Sequence, residues 1–424
     1  MAALRETEAR ECDAAELASQ VRGLAATENE THSQQTAIEL LERCKVFMRD
    51  RRGIDALLTV ERFFILAESS ATTPVAWKVN EEALKCAINS VFSRPDFVER
   101  HLLATSRLSR VLQLAKVCDH GRAVGAQLSA VASVSQLEWG GCEQRPGPAS
   151  FHLLVWKLVL VSCEAPGTVA ALCGSQEAWE LLFSTLHFGI NSSRIIALAA
   201  GGDHSALVLD LLKLLAVLAN AMAWATQAEG AQPEIYDFVR RTGDLLLHAL
   251  RESHPKLSAL NPVLLEIKNR ALEVFLFIPS RLLTACVCGD ELQSGDATTP
   301  DSEPSALSAL VKHLQAMLLA TRVEKTRPIS KILPILILCH NLTQTANASV
   351  SAFFRNAVLP VAAPHSTTAD GSPDPRAVDD EATAFYFKHL TFFLTCLDSD
   401  VKRYAGEWIF LLCNENGTTR LQWH

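Results

Sequence analysis

An all-α fold, a helical solenoid (superhelix) of the armadillo or HEAT kind, is what this 424-residue sequence predicts. The first ground is composition: hydrophobic residues are 49%, charged residues 20% and aromatics only 7%, with 3 Tyr, while Leu and Ala dominate. That mix favours helix over sheet. The second is a series of helical patterns with almost no strand signal between them. The third is a weak repeat. Leu84-Lys85-Cys86-Ala87-Ile88-Asn89, Leu215-Ala216-Val217-Leu218-Ala219-Asn220 and Ile335-Leu336-Ile337-Leu338-Cys339-His340-Asn341 are each an apolar helical run closing in Asn. Solenoids use this logic: units of about forty residues stack so that neighbours bury each other's apolar faces. The spacings are irregular, so the repeats are degenerate or carry insertions. An ordinary globular helical domain is the alternative.

The predicted helices are 13–25, 34–50, 55–68, 80–93, 106–118, 151–163, 176–188, 205–226, 233–252, 262–284, 305–321, 329–344, 348–357, 379–397 and 399–413. Along 34–50, Ala37, Leu41, Cys44 and Met48 form an apolar stripe. The most apolar stretch, Ala206 to Ala225, carries Asp210, Lys213 and Asn220 at helical spacing. It reads as a buried helix, and no transmembrane segment is expected. At 399–413, Asp398 or Ser399 can cap the N-terminus and Asp400 suits the positive end of the dipole. Val401, Ala405, Trp408 and Leu412 then share one face, which gives a buried, capped helix. Gly-, Pro-, Ser- and Asp-rich connections divide the helices, the long ones near 137–150, 289–304 and 362–380. The whole of 1–424 is expected to form a single solenoid.

Several function classes fall away. A net charge of −8 argues against nucleic acid as the main partner. The N-terminus is charged and has no apolar core, so no signal peptide is visible and a cytoplasmic location is expected, with the cell cortex as an alternative. The 12 cysteines lack metal spacing. Cys286-Val-Cys288 is the only close pair, with no His or Cys pair nearby to complete a zinc site. Free thiols follow, and neither metal nor cofactor is expected. There is no Gly-x-x-x-x-Gly-Lys loop, no Gly-x-Ser-x-Gly elbow and no His-Glu-x-x-His pair, so no catalytic residue is named. A helical solenoid usually binds rather than catalyses.

The second helix offers the best binding surface. Glu42, Lys45, Arg49 and Arg52 fall at helical spacing on one face, and residues 40–52 hold five basic and two acidic side chains in an otherwise acidic chain. A local basic face suggests an anionic partner segment, such as a peptide C-terminal carboxylate. The alternative is a solvated outer face.

The order of residues adds a resemblance. Leu397-Asp398-Ser399-Asp400-Val401-Lys402-Arg403, followed by Ala405 and Glu407-Trp408-Ile409-Phe410-Leu411-Leu412-Cys413, is similar to the last repeat of the synembryn family. These are the "resistance to inhibitors of cholinesterase" chaperones and exchange factors for heterotrimeric G-protein α subunits. Cys44-Lys45-Val46-Phe47-Met48-Arg49-Asp50-Arg51, with Asp55, and Glu82-Ala83-Leu84-Lys85-Cys86-Ala87-Ile88-Asn89 resemble two further runs of the family. Weaker similarity includes Leu276-Phe277-Ile278-Pro279 and Val358-Leu359-Pro360. The resemblance implies that Lys45, Arg49 and Asn89 contact the C-terminal helix of the α subunit on the inner face of the repeats. Arg52 is a candidate on the same basic segment, and Lys157, beside Trp156, is a weaker one. Lys45 stands where the family has Arg, so a planar bidentate fork is lost. Past Cys413 the sequence runs only to His424, where the family continues with a Gly/Ala-rich segment, an acidic phosphorylatable stretch and a further helix. The family C-terminal tail is therefore expected to be absent.

The implied function is binding of GDP-loaded or nascent G-protein α subunits as chaperone and guanine-nucleotide exchange factor, with no covalent chemistry. A monomer is expected. Two other classes remain: an armadillo-type scaffold that binds some other acidic peptide without exchange activity, and a helical enzyme marked by titrating residues converging in a pocket.

Overall fold

The computed structural model describes residues 2–24, 31–50, 52, 54–69, 73–94, 98–103, 107–116, 149–197, 203–226, 233–251, 261–279, 283, 287, 306–344, 348–359 and 377–413. Every regular element among them is a helix, and the chain is all-α, of the helical-solenoid class. The helices gather into two compact units, Met1–Ser192 with Gly201–Leu218, and Ser193–Ala200 with Ala219–His424.

The first unit opens with α1 (Ala2–Arg22), α2 (Thr31–Phe47), the short α3 (Asp55–Leu58) and α4 (Arg62–Ala67), and α5 (Pro74–Ser93). A helix over 107–116 (α6) follows, then α7 (Ala149–Ser162), α8 (Pro166–Cys173), and the larger parts of α9 (Gln176–Ala197) and α10 (Asp203–Thr226), whose ends after Ser192 and Leu218 fall in the second unit. α1 turns Ala14, Leu17, Ala18 and Val21 inward and packs on α2, α3 and α4. On α2 the apolar stripe is as expected: Ala37, Leu41, Cys44 and Met48 are all buried. α5 is the centre of the unit, packed against α2, α4 and α7. Pro74 occupies its first turn and the Thr73 hydroxyl accepts the Ala76 N–H at 3.1 Å, so the helix start is fixed twice over. Asn80 donates to the Ser69 carbonyl at 2.8 Å and ties the end of α4 to α5. α7 adds ring contact, Trp77 to Phe151 at 5.1 Å, and buries Trp156, whose indole donates to His152 Nε2 at 3.0 Å. α9 and α10 approach closely at Gly189, where a Cβ would stand 2.7 Å from the Val208 methyl.

The second unit holds α11 (Pro233–Arg251), α12 (Pro262–Phe275), α13 (Ala306–Leu318), α14 (Leu333–Gln344), α15 (Ala348–Val358), α16 (Ala377–Phe393) and α17 (Ser399–Leu412). Asn261 caps α12 through the N–H groups of Val263 and Leu264 at 3.1 and 3.2 Å. At α17 the cap is Asp398, which accepts from Asp400 and Val401, both at 3.1 Å. Val401, Ala405, Trp408 and Leu412 are buried as their spacing predicts. The Trp408 indole donates to the Thr343 hydroxyl of α14 at 3.0 Å and its ring meets Phe354 of α15 at 5.7 Å. Arg355 donates from Nε to the Leu412 carbonyl at 2.8 Å, closing the C-terminus of α17 with a cation.

Boundaries differ from expectation in a few places. The predicted 34–50 helix stops at Phe47, and 55–68 is two short helices separated by Thr59–Glu61. The predicted 262–284 helix gives way after Phe275, ahead of Pro279, which cannot donate to a continuing ladder. The 329–344 helix begins as a 3₁₀ turn, Ile329–Ile332. α8 is an additional helix, although Pro166 at its first turn is a start signal. Of the expected loops, 137–148, 289–304 and 362–376 lie outside the described residues, whereas 149–150 and 377–380 are helical. Ser205–Ala223 is long and apolar enough to cross a membrane; half of it is buried within the fold, and Asp210 pairs with Lys213 at 2.7 Å.

Candidate partner-binding site

Where α2 meets α5, one buried carboxylate gathers three lysines. The Glu82 side chain is 1% exposed. Lys45 of α2 reaches its Oε2 at 2.5 Å, while Lys78 and Lys85, one turn to either side on α5, reach Oε1 at 3.0 and 2.8 Å. Burial alone would push this carboxyl up. The hydrogen bonds from Lys45, Lys85 and Lys78 outweigh burial and hold it down at about 2. Lys78 is pushed above its ordinary range, first by its hydrogen bond to Glu82. Glu81 lies 3.9 Å from Lys78 and accepts a hydrogen bond from the Ser150 hydroxyl of α7. Three ammonium groups thus share two carboxylates, with the lysine ends partly open to solvent.

Lys78, Glu82, Lys85 and Asn89 follow one another at i+4, i+3 and i+4 and so line one face of α5. Asn89 is half-buried in the last turns of that helix. Lys45 thus meets α5 at Glu82, and Asn89 lies on the same face of α5 two turns further on.

Arg49 and Arg52 stand apart from this cluster. Because α2 ends at Phe47, both lie in the turn that follows and not on the helix face the spacing suggested. Arg49 is exposed, makes no ion pair among the described residues, and lines a groove between α1 and α2 with Arg10 and Arg43 and with the carboxylates of Asp13, Glu16, Glu39, Glu42 and Asp50. Arg52 is also exposed and spends its guanidinium on Asp50, with Nη2 to Oδ2 at 2.8 Å and Nε to Oδ1 at 3.1 Å. Those hydrogen bonds lead in holding the Asp50 carboxyl down at about 2. Lys157 is exposed on α7 beside the buried Trp156. Asn220 is exposed on α10.

Among the described residues no group of His, Cys, Asp and Glu could hold a metal ion, and the described cysteines are free thiols. Nothing in this geometry marks a nucleophile with its base. What it offers is a surface of mixed charge: three lysines gathered on a buried carboxylate where α2 meets α5, and a groove beside the following turn in which acidic side chains outnumber basic ones.

The family model described as guanine nucleotide exchange factor synembryn matches residues 40–421. The chain belongs to the synembryn family. A comparison with curated proteins finds no match. The synembryn match takes in Lys45, Arg49, Arg52, Asn89 and Lys157, as well as the capped helix α17. α1 precedes it. Reading single residues in order misses Glu82, Lys78 and Lys85 as a unit. The i, i+4, i+7 spacing of Lys78, Glu82 and Lys85 is the available signal, but spacing does not show which carboxylate is buried.

Proposed function

We propose that this synembryn-family protein binds α subunits of heterotrimeric G proteins in the cytoplasm as a monomer, chaperoning nascent subunits and promoting GDP release from loaded ones. The match of the exchange-factor family across residues 40–421 carries this reading. The partly exposed lysines at the α2–α5 contact and the exposed Arg49 support the location: Lys45, Arg49 and Asn89, with Arg52 nearby and Lys157 on α7, receive the C-terminal helix of the α subunit and its terminal carboxylate. Lys45 meets the partner from within the Glu82 cluster, whereas Arg49 has no ion pair among the described residues to give up.

The mechanism is differential binding. The protein prefers the nucleotide-free α subunit, whose C-terminal helix is held away from the nucleotide domain, over the GDP-bound form. By linkage, that preference lowers GDP affinity by the same factor, GDP leaves, and GTP binding releases the complex. No covalent step is involved.

The test uses a labelled synthetic peptide with the C-terminal sequence of a G-protein α subunit, titrated with the full chain. The double charge reversal Lys45→Glu, Arg49→Glu should reduce affinity by roughly tenfold or more, as loss of charge-assisted contacts worth about 1.5–3 kcal/mol requires. Equal binding by wild type and variant would remove the site assignment. Release of labelled GDP from an intact α subunit then separates exchange from capture: peptide binding without accelerated release leaves a peptide-binding scaffold.

A further inference from the structure

The guanidinium of Arg10, on α1, grips the turn that carries Arg49 and Arg52. Its Nε donates to the Arg52 carbonyl at 3.2 Å and its Nη2 to the carbonyls of Phe47 and Asp50 at 3.4 and 3.2 Å. Its Nη1 lies 3.9 Å from Asp50 Oδ2, and its Cζ sits 4.5 Å over the Phe47 ring. One side chain thus meets the last carbonyl of α2, two carbonyls beyond it and the Phe47 ring. Such carbonyls have no intrahelical donor, and a cation there also complements the helix dipole. Asp50 is the second half of the knot, because it holds Arg52 through its carboxylate while offering its carbonyl to Arg10.

We infer that Arg10 is a positioning residue for partner binding: it fixes the turn at Phe47–Asp50 and Arg52 so that Arg49 projects from a preformed backbone. Arg10 lies on a helix outside the residues the family model matches, so the inference extends the binding apparatus to α1. The consequence for affinity rests on the function proposed above; the effect on the turn does not. A planar fork is needed, since the acceptors lie in different directions and a single ammonium on Lys cannot serve all of them.

Two readouts test this on the full chain. Hydrogen exchange of the 47–53 backbone, without partner, should accelerate by about tenfold or more in Arg10→Ala and nearly as much in Arg10→Lys, while helices α5 and α7 keep wild-type protection. Unchanged exchange in that turn overturns the inference whatever the partner is. The second readout is a double-mutant cycle on affinity for the same G-protein peptide. Arg10→Ala should weaken binding severalfold in the wild-type background and have no further effect on top of Arg49→Ala. Independent, additive losses would mean that Arg10 does not act through the turn, and equally overturn it. If wild type fails to bind the peptide at all, the proposed function falls, and the exchange measurement alone decides the role of Arg10.

Discussion

Lys45 on α2 and Glu82 on α5 approach to 2.5 Å, and this contact joins two helices whose order along the chain is interrupted by two short ones. It is an ion pair with one partner buried and the other a quarter exposed. Lys78 and Lys85 hold the same carboxylate, so the contact is a network rather than a pair.

Replacing Glu82 by Gln keeps the shape and removes the charge that binds three lysines together. Breaking a buried pair from one side costs about 3–5 kcal/mol, and the low end applies here because the lysines reach solvent. Chemical denaturation should show a lowered midpoint for Glu82→Gln. A midpoint equal to wild type would mean that the lysines relax into water at no cost.

Two buried groups predict a loss of stability on acidification. Glu82 is held at about 2, below its ordinary value of 4.5, so its contribution is present above about 4.5 and is lost as pH falls toward 2. His313, on α13, is pushed down from 6.5 to about 3, by burial first and then by Lys268 and Arg327. It is stable while neutral: its contribution is complete above about 6.5 and erodes as pH falls toward 3, because the unfolded state takes up the proton first. Denaturation midpoints should therefore begin to drop below pH 6.5, before carboxylates titrate. In His313→Leu the loss between pH 6.5 and 4.5 should shrink without vanishing, because burial also holds His389 below its ordinary value; an unchanged loss would assign it to other groups.

Trp408 fills the contact of α17 with α14 and α15 and is 0% exposed. Its replacement by Ala should cost about 3–5 kcal/mol, as for other large aromatic truncations in cores. Trp408→Phe keeps most of the packing and loses the bond to the Thr343 hydroxyl, a cost of about 1 kcal/mol from the bond itself. The two midpoints, measured by the same denaturant titration, should be well separated.

Lys45 and Arg49 should divide their effects. Arg49 is exposed and makes no ion pair among the described residues, so Arg49→Ala should lower affinity for the G-protein peptide several times over and leave the melting temperature within about a degree, as most surface substitutions do. Lys45→Ala should lower both the affinity and the melting temperature, because a proposed contact is lost and Glu82 loses its closest partner. Calorimetric binding and thermal melts on the two single variants check this; unchanged affinity in Arg49→Ala would remove the turn from the site.

The helices themselves are legible in the sequence. Apolar spacing marks the buried face of α2 through Ala37, Leu41, Cys44 and Met48, and that of α17 through Val401, Ala405, Trp408 and Leu412. Asp398, one of two candidate caps, proves to be the one bonded. Both features are local, set by residues within a turn or two of one another. What sequence order hides is tertiary. Glu82 reads as one more surface Glu until α2 covers it. Spacing alone extends α2 to residue 50, although the turn after Phe47 is held by Arg10, far earlier in the chain. Arg49 therefore stands in that turn and not on the helix face its spacing suggests.

The inward face of α1 bears on how recombinant fragments of this protein should be cut. Similarity alone would place the first residue at 40 and discard α1 with the opening turns of α2. Leu17 and Val21 would leave, and the surfaces of α3 and α4 that α1 covers would face water. A newly bared apolar surface of that kind promotes self-association. Poor yield from a clone trimmed to the matched boundary would therefore report a missing shell, not an unstable family core, and starting at Ala2 should restore it.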